Sequence, residues 1–479
     1  MIAFSLLFVL MIAVGILAVR ACDVRSSMPI WLSICLGSGL GIGLASSFYF
    51  LLLNVFHRQA IPAVWVLEST SLLALLVVHK RAALSIAGVG TSANLTGGDT
   101  KEPIDTNIFS PRIISWLKIG FCGLFVLAAL SFAARSWMHP HSDWDALMIW
   151  NVHARFLERA PEHLQNNFSP LIFWTHPDYP QLIPAIVSLG LSLSHESQLP
   201  AISIAFVFTM ATAGLLVTSL SSTKSIVHGL LAGIILLTTP FWVHCGTMQY
   251  GDVPIAFFFL ATLVCCALFD KERQLRFLVL AGIFASLAAW TKNEGLLFVL
   301  CLPVANMLAE RRIWGGLKPL SAVFLGALPV ILLIIWFKLA LAPPNDIVSG
   351  QGVGTTTSRL LNISRLIIVG EYFVIKPVTF GDWIASPIPF LAFFWFLSGS
   401  KLKDLGCRRA LFTVILMTLG YALTFLVTPA EIQQHLNTAL TRLLLQLWPS
   451  FIFALVGSMS LNNLSVSSKT PVTVGQSES

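Results

Sequence analysis

The chain has 479 residues, 56% of them hydrophobic and only 11% charged, with a mean hydropathy of +0.82. Soluble domains carry about 25% charged residues, so a soluble enzyme is excluded and an all-α polytopic membrane protein is expected. The formal charge of +7 is spread over short loops with no long basic block, which gives no footing for a nucleic-acid partner and fits a Lys/Arg excess on one side of a bilayer.

A spanning helix takes about 20 apolar residues. Runs of that kind fall at 1–20, 30–54, 61–79, 113–133, 201–220, 226–245, 253–269, 318–342, 409–428 and 442–460, with shorter ones at 276–290, 295–309 and 386–399. The first lacks a basic leader region and runs into Arg20 without a small-residue cleavage site, so it is expected to be retained. Basic residues cluster around the loop 80–112, in DKERQLR (270–276), at Arg311, Arg312 and Lys318, and from Lys401 to Arg409. If these are cytoplasmic, the helices alternate correctly only when 134–200 lies wholly on the far side. About 13 spans result, with the N-terminus outside and the C-terminus in the cytoplasm. The 13-residue run 182–194 is then interfacial or re-entrant. Arg58, in the loop 55–60, is the exception to the charge bias. The eight cysteines are scattered without CxxC spacing and read as small hydrophobes within helices.

Segment 134–200 is a polar island in this apolar chain. It holds His139, His141, His153, His163, His176 and His195 together with six carboxylates. Ser142 followed by Asp145 has the spacing of a capping box, which predicts a helix start. Leu147, Trp150, Ala154 and Leu157 then share one helical face, as expected of a helix lying on the membrane surface. Asp145 points roughly opposite that stripe, and Asp143 and Asp145 either cap the helix or supply a general base. His139, His141, Asp143 and Asp145 also admit a divalent metal, the lesser reading, because HxH without a defined partner is weak.

Four other segments fall on the same side as the island. They are Met248–Asp252 (MQYGD), Trp290–Gly295 (WTKNEG), the loop 343–385 with its Gly-rich start, and 429–441. Asp252 reads either as a cap before a proline or as a second functional acid. Lys292, Asn293 and Glu294 form a polar turn, or Lys292 offers a point charge to a phosphate. His435 and Arg442, seven apart, share a face if helical. Arg442 stands where positive charge is disfavoured, and it either snorkels or binds phosphate. HPDYP (176–180), with two prolines in five residues, is an extended turn.

WDALMIWNVHAR, followed by HPDYPQLIP, YGDVPIAFFFLAT, WTKNEGLLF and HLNTALTRLLLQLWP, in that order from Ser142 to Pro449, resembles the polyprenyl-phosphate-sugar-dependent glycosyltransferases of the GT-C type. The nearest resemblance is to the bacterial branch of the glycosyltransferase family 39 / protein O-mannosyltransferase-like superfamily. It divides the chain into additional N-terminal helices and a cytoplasmic linker (1–112), a GT-C-like catalytic domain (113–460) and a disordered tail (461–479). It also implies a lipid-linked sugar donor, an acceptor hydroxyl on a glycan, lipid or protein, no cofactor, and transfer at the outer face of a bacterial inner membrane. The catalytic base maps onto Asp145, with Asp143 as rival, and a second acid maps onto Asp252. The Asp-Glu pair of protein mannosyltransferases proper is absent from this loop. Trp144, Trp150, Asn151, His176, Asp178, Tyr179, Tyr250, Lys292, Glu294, His435 and Arg442 are the expected substrate-binding residues. A flippase or transporter, a surface-glycan ligase or polymerase, and a non-catalytic assembly subunit are the alternatives.

Overall fold

The computed structural model describes residues 1–23, 28–90, 109–310, 316–345, 352–383, 385–399 and 402–461. Arg311, Arg312, Lys401, most of the linker 80–112, the stretch 346–351 and almost all of the tail 461–479 lie outside the described residues. Among the described residues there are helices and no strands. Three apolar helices come first: α1 (Ile2–Cys22), α2 (Ile30–Phe56) and α3 (Ala60–Gly90). After α4 (Pro111–Met138) the island contributes α5 (Asn151–Arg159) and α6 (Leu182–Ser194). Then come α7 (Leu199–Thr223), α8 (Ile226–Leu237), α9 (Pro240–Thr247), α10 (Asp252–Glu272), α11 (Leu275–Thr291), α12 (Glu294–Glu310) and α13 (Leu317–Ala340). The last are α14 (Val353–Leu360), α15 (Ile363–Val378), α16 (Pro387–Leu397), α17 (Leu405–Val427) and α18 (Ile432–Ser458).

Eight described helices are long and apolar enough to cross a membrane, or nine if the bent α8–α9 pair is one span. That count takes Ile30–Arg81 as a single run, but the chain turns at His57 (φ 50°), and α1 packs against both α2 and α3. The island helix α6 has the bounds expected from its apolar run. It is buried against α2, α5 and α7, as its short, almost wholly apolar sequence requires.

Polar side chains gather at the two ends of the bundle. At one end Arg409 pairs with Asp270 (2.7 Å), Lys224 pairs with Asp404 (2.8 Å), and Lys271 donates to the Ser222 carbonyl (2.9 Å). Asp270 and Lys271, and Asp404 and Arg409, belong to two of the loops expected to be basic. At the other end lie the island, Met248–Asp252, Trp290–Gly295, the start of α18 and Asn345 of the loop 343–385. Arg58, the exception to the charge bias, pairs there with Glu162 of the island (2.8 Å), so its charge is neutralised locally.

The central column is α10, whose apolar stretch is entirely buried by protein. It packs against α7, α11, α17 and α18, so Asp252 at its first turn stands in the middle of the polar end.

Three spans differ from expectation. The run 226–245 is broken at Thr238–Thr239, and α8 and α9 meet at 64°. Pro240 cannot continue the ladder, and the freed Thr239 hydroxyl accepts from the Trp448 indole (3.2 Å). The run 386–399 yields only the 11-residue α16. At 1.5 Å per residue it reaches about 16 Å, roughly half a hydrocarbon core. It begins mid-bundle, where Phe380 packs on Trp448, after α15 has carried the loop 343–385 inward. The last span starts earlier than expected: α18 takes in most of 429–441, because Glu431 caps it through the Gln433 and Gln434 amides.

Close helix contact rests on glycine at the α11–α13 crossing, where a Cβ on Gly326 would collide with the Val279 carbonyl. Backbone oxygen cannot move aside, and small residues are what let membrane helices approach. Gly326→Val is expected to cost about 1–3 kcal/mol of overpacking, read as a lower melting temperature in detergent. Gly120→Val, on open helix surface, should leave it unchanged. Equal melting of the two variants would refute the tight crossing.

Candidate active site

The expected capping box does not form. Ser142 sits at φ 63°, and its hydroxyl donates to the Thr247 carbonyl (3.0 Å) instead of to the helix start. Asp143 accepts from the next amide, that of Trp144 (2.8 Å). The helix opens at Trp144 and passes through one wide π turn at Ala146–Trp150 before α5. Single π turns of this kind re-aim side chains and recur at functional sites. The apolar stripe is also not membrane-facing as expected: Trp150, Ala154 and Leu157 are buried in the protein core. Gly251 makes room for this packing, since a Cβ there would meet the Trp150 ring at 2.7 Å.

With the stripe buried, Asp145 turns toward α18, and its carboxylate accepts a hydrogen bond from the Arg442 guanidinium. Arg442 also lies over the Tyr250 ring (5.2 Å) and 3.9 Å from the Asp252 carboxylate. Asp252 does not cap its helix through its side chain. It is buried, and one oxygen accepts from Lys292 (2.9 Å) and Gln446 (2.6 Å). Its other oxygen has no hydrogen bond among the described residues. Lys292 pairs in turn with Glu294 (2.8 Å). Asp145, Arg442, Asp252, Lys292 and Glu294 thus form a row of alternating charge. Gln446 stitches it by also reaching Glu294 (3.3 Å) and accepting from Tyr421 (2.9 Å). A lysine held between two carboxylates is no free point charge.

Beside this row opens a cavity of about 870 Å³. Trp144, Asp145, Trp150, His176, Tyr179, Asp252, Lys292, Glu294, His435 and Arg442 all line it, which brings ten of the expected site residues to one place. His435 and Arg442 share it because α18 is continuous through both. His176, at φ 52°, stacks flat on Tyr179 (4.8 Å).

Four expected site residues do not line this cavity. Asn151 is buried and donates to Gln249 (3.0 Å), an anchor between the island and the start of α10. Asp178 is buried and accepts from Asn293 (2.9 Å) and Asn345 (2.7 Å), with Lys338 3.4 Å away, so it clamps the island to α13 and the α11–α12 tip. Tyr250 lies beneath Arg442. Asp143 faces a separate, smaller cavity. The histidines and acids at 139–145 do not gather as ligands: among the described residues no group of three His, Cys, Asp or Glu is placed to hold a metal ion.

Gln446, Tyr421, Lys338, Asn345 and Trp174 were missed in the sequence. Gln446 carried a usable signal, since it lies four residues after Arg442 and hence on the same helical face.

Deeper in the island, His153 is buried between the Asn167 side chain (2.7 Å) and the Thr175 carbonyl (3.0 Å). Burial holds its pKa below the ordinary imidazole value, and the two hydrogen bonds only partly offset this. The unfolded chain therefore binds the proton more readily. Stability is full above pH about 6.5 and is lost as pH falls toward the folded pKa, at up to about 1.4 kcal/mol per unit. Melting followed against pH should show this loss, and His153→Gln should flatten it; an unchanged slope would contradict the assignment. Separately, Lys292→Met leaves Asp252 buried without its main counter-charge. It is expected to cost about 3–5 kcal/mol, seen as poor recovery or a much lower melting temperature.

No curated protein and no solved structure matches the chain. Residues 178–336, from the Asp178 clamp through α10 and the Lys292 turn into α13, match the family model described as dolichyl-phosphate-mannose-protein mannosyltransferase. This stretch of the chain is thus similar to that family, which is part of the GT-C glycosyltransferase superfamily.

Proposed function

We propose that the chain transfers a sugar from a polyprenyl-phosphate donor to a hydroxyl of a cell-envelope glycan, lipid or protein, with Asp145 as general base. The observation that carries this reading is the Asp145 carboxylate held by Arg442 at the wall of the large cavity. A base must lie within hydrogen-bond reach of the proton it takes, and the cavity of about 870 Å³ beside this carboxylate is large enough for a sugar.

The Arg442–Asp145 contact supplies a trigger. A guanidinium prefers the forked oxygens of a phosphate. An incoming donor phosphate competes with Asp145 for Arg442, and the freed carboxylate turns to the acceptor hydroxyl. The hydroxyl oxygen then attacks the anomeric carbon as the bond to the phosphate oxygen breaks. Its proton passes to Asp145, and Arg442 stabilises the leaving phosphate. One base and one displacement give inversion. Asp252 and Glu294, tied to Lys292 and Gln446, set the position of Arg442 and line the far wall. We place this end of the bundle on the non-cytoplasmic face of a bacterial inner membrane, because the opposite end carries Lys224, Lys271 and Arg409. Charged groups concentrate at this end instead of threading the bundle, which disfavours a transport path.

Asp145→Asn is expected to lower transfer by about 10²–10⁴-fold in membranes supplied with a polyprenyl-phosphate-linked sugar, followed by mass spectrometry of envelope glycans. Asp143→Asn should retain most of the activity. Transfer surviving in Asp145→Asn would remove the base assignment, and a collapse in Asp143→Asn alone would move it there.

A further inference from the structure

The smaller cavity, about 250 Å³, lies where the last turn of α4 meets α9, and the main site does not use it. Arg135, His139, Asp143 and His244 line it with Ser142 and Thr247. Arg135 is the telling member. Its Nε is shielded from solvent and has no hydrogen-bond partner among the described residues. At this end of the bundle Arg58, Arg159, Lys292, Lys338 and Arg442 each meet a carboxylate. Arg135 meets none within 4.0 Å among the described residues. A desolvated guanidinium donor left unmatched is costly, and a forked oxyanion is what it fits best. Two imidazoles add donors around it. Two carboxylates limit the charge: Asp143 in the wall, and Asp382, which stands 3.9 Å from His244 on its outer side.

We propose that this cavity is a second subsite, one that seats the oxyanion of a phosphate group on Arg135. Its volume admits a phosphate with water to spare, since a water occupies about 30 Å³ of liquid. The approach to it is lipid-like: Trp137 and Met138, between Arg135 and His139 at the end of α4, are exposed apolar side chains. A phosphate carried on a lipid reaches Arg135 with its tail along α4. If the transfer reading above holds, this ligand is the acceptor. The donor phosphate goes to Arg442, and Asp143 and Asp145, two residues apart, face the two cavities from one helix start.

The test uses the full chain in nanodiscs of phosphatidylcholine, alone or doped with phosphatidic acid, or with inorganic phosphate added outside. The melting temperature of the unaltered protein is expected to rise with phosphatidic acid. Arg135→Gln should lose the rise and Arg135→Lys should keep part of it. A rise with inorganic phosphate as well assigns the site to a free oxyanion, and a rise with phosphatidic acid alone assigns it to a lipid headgroup. Either outcome supports the proposal if Arg135→Gln abolishes it. No rise with either probe, or an equal rise in Arg135→Gln, overturns it. Should Arg135→Gln fold poorly, His244→Gln with Arg135→Lys gives the same comparison. Asp145→Asn is expected to keep the full rise, so failure of the transfer reading leaves this measurement intact.

Discussion

The polar end of this bundle depends on one line of alternating charge, Asp145–Arg442–Asp252–Lys292–Glu294. Its members come from the island, α18, α10 and the α11–α12 tip, far apart in the chain. Buried charge is expensive in protein and more so near lipid, and each member here is made tolerable by the next. Removing one exposes its neighbours, which gives the row its rigidity and its specificity. One hydrogen-bonding reserve is left in it: an Asp252 oxygen 3.9 Å from Arg442 that has no hydrogen bond among the described residues.

Around that row the fold supplies anchors made of different chemistry. Asp178 clamps the island through two asparagines and a lysine, Asn151 ties it to Gln249, and His153 fixes its interior. Seen in the chain, these polar residues look the same as ligand-contacting ones. What separates them is burial: each is enclosed and spends its hydrogen bonds on protein. Trp144, His176 and His435 keep a face toward the cavity.

This distinction marks how far the sequence could be read. Most apolar runs were legible as helices because apolar length acts locally. The convergence of five segments followed from alternation alone. The sequence could not show that the stripe of Trp150, Ala154 and Leu157 faces protein instead of membrane, because an amphipathic helix reads alike against lipid and against an apolar core. The capping box failed for a similar reason: Ser142 found a better partner in the Thr247 carbonyl, a hundred residues away in the chain. The break at Thr239 was signalled by Pro240, but hydropathy averaged over a span passes across it. Gln446 went unnoticed because a single amide in an apolar run has no meaning until its partners are known.

The fully enclosed α10 has a consequence for how the protein is made. Its apolar stretch enters the bilayer as an ordinary greasy segment, yet in the finished bundle it touches no lipid. Its enclosure needs α17 and α18, which follow it only much later in the chain. Until they arrive, Asp252 and Lys292 have only each other and Glu294. Chains cut short before α18 therefore lack Arg442 and Gln446 together, and they expose the apolar column to quality control. Closure of the charged row and enclosure of α10 therefore wait on the same helix.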